Sequence, residues 1–179
     1  MSLQMIFTGV GGQGVLFATR VFYELAHTKG ESVFGSETHG MSQRGGSVVS
    51  HLKIGPYHSP LVARGRADVL FGFQKEEGLR NLPMVRRGGA AIINTPGQLP
   101  QGEAKEKGIA FYVLDADGLA TEIGNPLAAN LVLIGYGIST VRLPYTYEEI
   151  KEVVSGITPP RLKEANLMAL EVGYSSAGP

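Results

Sequence analysis

The sequence has no cysteine among its 179 residues. That excludes disulfides, cysteine-bound zinc and any iron–sulfur cluster ligated by cysteines of this chain alone. Tryptophan is also missing. No apolar run approaches the roughly 20 residues that span a bilayer. The opening Met1-Ser2-Leu3 leads into a strand pattern and not a secretory leader. Net charge is lacking too, since 16 Lys+Arg balance 16 Asp+Glu, and a neutral chain is a poor partner for nucleic acid. These absences agree with a cytoplasmic chain that uses neither membrane nor nucleic acid.

What is present fits one globular domain over residues 1–179, with 43% hydrophobic and 18% charged residues. The balanced charge is unevenly spread. The half up to residue 90 is net basic and the remainder net acidic, so the first half suits an anionic ligand or an acidic partner. Glycine is plentiful, at 25 residues, and it is clustered.

The first cluster is Thr8-Gly9-Val10-Gly11-Gly12-Gln13-Gly14-Val15-Leu16. A strand-like run ends before it, and a helical run with Val15, Leu16, Ala18, Val21, Phe22 and Leu25 follows. Gly9-x-Gly11-x-x-Gly14 matches the dinucleotide fingerprint. Glycines admit positive φ and let a ligand approach the backbone, and the amides of a helix start favour an anion. The plainer reading is a tight turn packing helix on strand. A strand near 32–37 then places Glu37 where a ribose-binding acid belongs.

The second cluster runs Ser36-Glu37-Thr38-His39-Gly40-Met41-Ser42-Gln43-Arg44-Gly45-Gly46-Ser47. It is too polar for a core, and its chemistry is that of a binding loop. Arg44 offers a bidentate fork to a carboxylate or phosphate. Gly45 and Gly46 bare the backbone. His39 can donate or accept near neutral pH. The plainer readings are an ordinary surface histidine at 39 and an ion pair between Arg44 and Glu37.

Taken together, GVGGQGV and SETHGMSQRGGSVVSH resemble the gamma subunit of 2-oxoacid:ferredoxin oxidoreductases. The stretch His39-Gly40-Met41-Ser42-Gln43-Arg44-Gly45-Gly46 resembles the small subunit of the indolepyruvate type. The resemblance implies one subunit of a complex that oxidatively decarboxylates a 2-oxoacid on thiamine diphosphate. It implies electron transfer through iron–sulfur clusters to ferredoxin, and formation of an acyl-CoA. It also implies that no cofactor binds tightly to this chain alone, and that thiamine diphosphate, the clusters and coenzyme A belong to the assembled complex. Partners would be the thiamine-binding and iron–sulfur subunits, with ferredoxin reached indirectly and a homodimer when the chain is isolated. The residues it marks for a pocket or interface are Gly9, Gly11, Gly12, Gln13, Gly14, Ser36, Glu37, His39, Gly40, Gln43, Arg44, Gly45, Gly46 and Ser47.

Further along, strands are expected at 46–54, 68–73, 90–95 and 109–114. Arg86-Arg87-Gly88-Gly89 reads as a basic turn and 98–108 as an exposed excursion. Asp115 or Asp117 caps a short helix, and these two acids do not make a metal site. A buried helix follows Pro126, and Thr146 with Glu149 forms a capping box. The last helix spans 162–172, and the tail (about 170–179) is expected to fray. The architecture is a three-layer α/β domain with a largely parallel sheet and helices on both faces. The short polar connection before 46–54 leaves that strand free to run antiparallel. Both glycine clusters then begin at carboxyl ends of strands and meet on one rim. Three functions stay open at this point: a 2-oxoacid oxidoreductase subunit, a free NAD(P)-binding oxidoreductase, and a non-catalytic assembly domain.

Overall fold

In the computed structural model, residues 2–39, 45–99 and 102–177 are described. Six strands form one sheet: β1 (Leu3–Val10), β2 (Val33–His39), β3 (Ser47–Ile54), β4 (Ala67–Gly72), β5 (Val85–Asn94) and β6 (Ala110–Leu114). Their spatial order is β2-β3-β1-β4-β5-β6. β1, β4, β5 and β6 pair parallel, and β3 runs antiparallel to both of its neighbours, β1 and β2.

β1 is apolar on both sides because it sits in mid-sheet. Alternation sends Leu3, Met5 and Phe7 to one core and Ile6 to the other. The larger core holds an aromatic cluster: Phe7 stacks on Phe71 at 5.5 Å, and Phe22 tilts against both. Phe22 comes from helix α1 (Val15–Thr28), whose buried stripe also carries Val15, Ala18, Val21 and Leu25. Helices α4 (Ala116–Glu122), α5 (Ala129–Thr140), α6 (Tyr147–Ile157) and α7 (Lys163–Ser175) complete this layer. The opposite face is covered by α2 (Lys75–Asn81), the 3-10 turn Leu82–Met84 and the segment around Val62 and Leu99.

Capping follows the local chemistry. Asp115, and not Asp117, caps α4 by accepting the Gly118 N–H at 2.9 Å. Thr146 and Glu149 make the reciprocal capping box of α6. The carboxylate of Glu149 also holds the Lys29 ammonium at 2.5 Å and so ties α6 to the end of α1.

Four sequence expectations are corrected. Arg86–Gly89 is a bulge inside β5: its pairing with β4 jumps from Ala67↔Val85 to Val69↔Ala90, leaving those four residues out of the ladder. The excursion at 98–108 contains a short helix, α3 (Gly102–Lys107). The strand expected at 32–37 continues to residue 39, so Thr38 and His39 lie within β2 and not in the loop. The chain does not fray from residue 170: α7 continues to Ser175, with Leu170 and Gly173 buried. The cause is close approach between α5 and α7. A Cβ on Gly173 would strike the Val132 carbonyl, and one on Gly135 would strike that of Leu170.

Candidate functional site

The crossover from β1 uses α1 on one face, and the crossover from β4 uses α2 on the other. Their diverging connections open a crevice past the carboxyl ends of β1 and β4, where open α/β sheets place ligands. The first glycine cluster forms its lip.

Gln13 closes that loop on itself. Its Oε1 accepts the Val10 N–H at 2.9 Å, and its own N–H donates to the Val10 carbonyl at 3.2 Å. Gly12 and Gly14 take positive φ, 100° and 72°. Asn130, from α5, donates through Nδ2 to the Gly14 carbonyl at 3.2 Å, so this amide serves the loop. α1 carries no side-chain cap at its start, so among the described residues its first-turn amides have no side-chain acceptor. Beside them lies a cavity of about 200 Å³ lined by Gly12, Gln13, Phe73, Asn94, Asp117, Pro126, Leu127, Ala129 and Asn130.

The second cluster meets the first by hydrogen bond. The Gly11 N–H donates to the Gly46 carbonyl at 2.9 Å, and Val10 pairs with Ser47 in the ladder. An added Cβ on Gly11 would rest against Gly45. Ser47 donates to the buried Glu77 carboxylate at 2.6 Å, and Arg80 grips the other oxygen at 2.5 Å. Glu77 is only 5% exposed, whereas the Arg80 side chain is 65% exposed. The rim thus holds a shielded carboxylate and presents a guanidinium to solvent.

Gly9, Gly11, Gly12, Gln13, Gly14, Gly45, Gly46 and Ser47 therefore share one rim. Ser36 and Glu37 do not reach it. Glu37 pairs with Ser50, which pairs with Phe7, so it lies two strands from β1 and roughly 10 Å below the lip. The backbone of His39 is level with Gly9 through Val48. Gly40, Gln43 and Arg44 fall outside the described residues. The dinucleotide reading loses its geometry here. It needs β2 beside β1, and β3 stands between them.

Residue reading missed Glu77, Asn81 and Asn94. Asn81 donates to the buried Thr8 hydroxyl at 3.0 Å. Asn94 donates to the Phe73 carbonyl and accepts the Ala116 N–H, locking the ends of β4 and β5 and the start of α4. A clue for Glu77 was present three residues earlier, since Gln74 Oε1 accepts its N–H as the α2 cap.

Residues 4–176 match the model of the pyruvate ferredoxin/flavodoxin oxidoreductase family. The chain belongs to that family. It is 35% identical to the indolepyruvate oxidoreductase subunit IorB of Thermococcus kodakarensis, over 97% of this chain and 95% of that one. In fold it matches the gamma subunit of a keto/oxoacid ferredoxin oxidoreductase from Geobacter sulfurreducens. There the TM-score is 0.78 and the identity 21%, covering 98% of each chain. A 2-oxoglutarate:ferredoxin oxidoreductase from Magnetococcus marinus, with 2-oxoglutarate, coenzyme A and succinyl-CoA bound, contains the same fold. It gives a TM-score of 0.79 at 20% identity and covers 98% of this chain, which spans 31% of that one. The same fold therefore occurs both as a separate chain and as part of a longer one. No helix among the described residues is long and apolar enough to cross a membrane.

Proposed function

We propose that this family member is the small subunit of a cytoplasmic indolepyruvate-type 2-oxoacid:ferredoxin oxidoreductase, and that its glycine rim abuts the thiamine-binding partner. The observation that supports the reading is the Gly11–Gly46 hydrogen bond, which joins the first motif to the end of the second. The likeness to the indolepyruvate subunit over nearly both full lengths supports the substrate class.

The chemistry of the rim is electrostatic and positional. The first-turn amides of α1 fit a phosphate group of a partner-held cofactor, thiamine diphosphate or coenzyme A. Gly12 and Gln13 border the cavity where such a group would rest. Arg80 supplies positive charge on the neighbouring side. Electron transfer belongs to other chains, because this one has no cysteine with which to ligate an iron–sulfur cluster. The partners are accordingly a thiamine-binding subunit and the cluster-bearing part of the complex, with ferredoxin downstream.

The test is co-expression with the thiamine-binding subunit. The expected result is indolepyruvate- and CoA-dependent ferredoxin reduction by the complex and none by the isolated chain, with residues 9–14 and 45–47 gaining amide-exchange protection on assembly. Turnover by the lone chain would overturn the subunit reading. A complex that accepts pyruvate or 2-oxoglutarate but not indolepyruvate would overturn the substrate assignment.

A further inference from the structure

We propose that the outer edge of β2 pairs with itself, joining two copies of this chain antiparallel about Ser36 into one continuous sheet. This rests on the strand and its surroundings, not on the function proposed above.

β2 ends the sheet, and among the described residues β3 is its only strand partner. Edge strands are normally kept from pairing by shortness, lysine, proline or a bulge. β2 has seven residues, Val-Phe-Gly-Ser-Glu-Thr-His, with neither lysine nor proline, and its ladder with β3 is unbroken. Large apolar side chains are exposed around it. Phe34 is 36% exposed on one face, and Leu16 and Tyr23 are 42% and 40% exposed beside the other. On that second face a groove of about 500 Å³ runs between α1 and the edge, lined by Leu16, Arg20, Tyr23, Gly35 and Leu52. The Ser50 hydroxyl borders it, fully buried and without a hydrogen-bond partner.

The sequence of the strand is suited to its own copy. A two-fold axis at Ser36 pairs all seven residues and sets Glu37 opposite the other copy's Gly35. No like charges then face each other. The glycine leaves room for the incoming carboxylate, and Arg20, which bonds Glu24 of its own helix at 3.4 Å, lies on the groove wall beside it. Phe34 falls opposite Thr38, an aromatic against a β-branched residue. Other registers are worse. A two-residue slip one way sets Glu37 against Glu37. The slip the other way sets Gly35 against Gly35 and pairs only residues 33–37. The contact is one strand pair with a few apolar side chains, at the small end of specific interfaces, so the dimer dissociates on dilution.

The natural absence of cysteine makes single-cysteine variants of the full chain clean probes. With a short bis-maleimide, Ser36→Cys is expected to cross-link into a species of twice the mass. An equal mixture of Phe34→Cys and Thr38→Cys is expected to do the same, while each alone stays single. Light scattering over a dilution series then compares Gly35→Glu with Gly35→Lys. Both fold, because a Cβ there meets only ordinary contacts. The first sets an acid against Glu37 of the other copy and weakens the dimer; the second tightens it. Each shift is roughly two- to thirty-fold, the doubled worth of a cross-strand charge pair. A chain that stays monomeric up to about 0.1 mM overturns the proposal. So does cross-linking that ignores position, and so do shifts of the same sign for the two Gly35 variants.

Discussion

Gly12 and Gly14 both hold positive φ, but for different reasons. At Gly12 an added Cβ would meet open space. A side chain there costs backbone strain alone, not the clash that a dense glycine loop suggests when read as sequence. At Gly14 the Cβ would strike the Asn130 amide as well. Gly12→Ala is therefore expected to cost about 1 kcal/mol and Gly14→Ala clearly more, about 2–4 kcal/mol, by denaturant unfolding. Equal losses would show that Asn130 yields. His51 supplies a second residue-scale test. Its unprotonated Nδ1 accepts the Val62 N–H at 3.2 Å, and burial, then Lys53, lowers its pKa from the ordinary 6.5. The folded value lies below the unfolded one. The stabilisation is thus complete above pH 6.5 and is lost as pH falls through the lowered value. His51→Gln is expected to flatten the decline in stability below pH 6.5, as followed by thermal melts. At this scale the glycines of the first loop could be read from the chain, because spacing alone marks a strand–turn–helix connection. Gln74 marks Glu77 only as part of a helix start; its place beside the rim could not be read, because its partner Ser47 lies thirty residues earlier and only folding joins them.

Helices α5 and α7 are fitted to each other through glycines. Gly135 and Gly173 each back onto a carbonyl of the opposite helix, so their backbones approach as closely as small residues allow. A chain end reads as loose from its position alone; here Gly173 is what seats the helix. Gly173→Ala is expected to unseat α7, costing several kcal/mol, with lost protection in amide exchange over 163–175. Gly156→Ala is the control, since a Cβ there meets nothing. At the start of α6, Thr146→Ala is expected to cost about 1 kcal/mol. The Glu149 carboxyl is held below its ordinary value of 4.5, first by the Lys29 bond and next by the Thr146 N–H. That share of the stability is present above pH 4.5 and disappears as acid protonates Glu149 through the lowered value. A melt of Thr146→Ala indistinguishable from the parent would remove the capping argument. The capping box was plain in the sequence because its parts are three residues apart. The bulge at Arg86–Gly89 was not, since adjacent glycines signal a bend without saying whether the strand resumes.

For the whole molecule, what could be read and what could not divide along the range of contacts. Strand and helix order followed from local periodicity, and the α/β class with it. The place of β3 between β1 and β2 is a long-range pairing, and it separates this fold from the dinucleotide arrangement that the first loop imitates. Isothermal titration of the isolated chain with NAD is accordingly expected to show no saturable binding, and Glu37→Ala no change. Tight binding abolished by that substitution would restore the discarded reading.

The backward course of β3 has one more consequence. Neighbouring antiparallel strands need only a short link between them, and β3 starts at the rim with Ser47. A link of that kind can gain or lose residues without moving any buried side chain. The buried frame and that link are therefore separately adjustable. Descendants of one ancestral scaffold could be refitted to new companions by editing a handful of codons, with the sheet beneath left untouched.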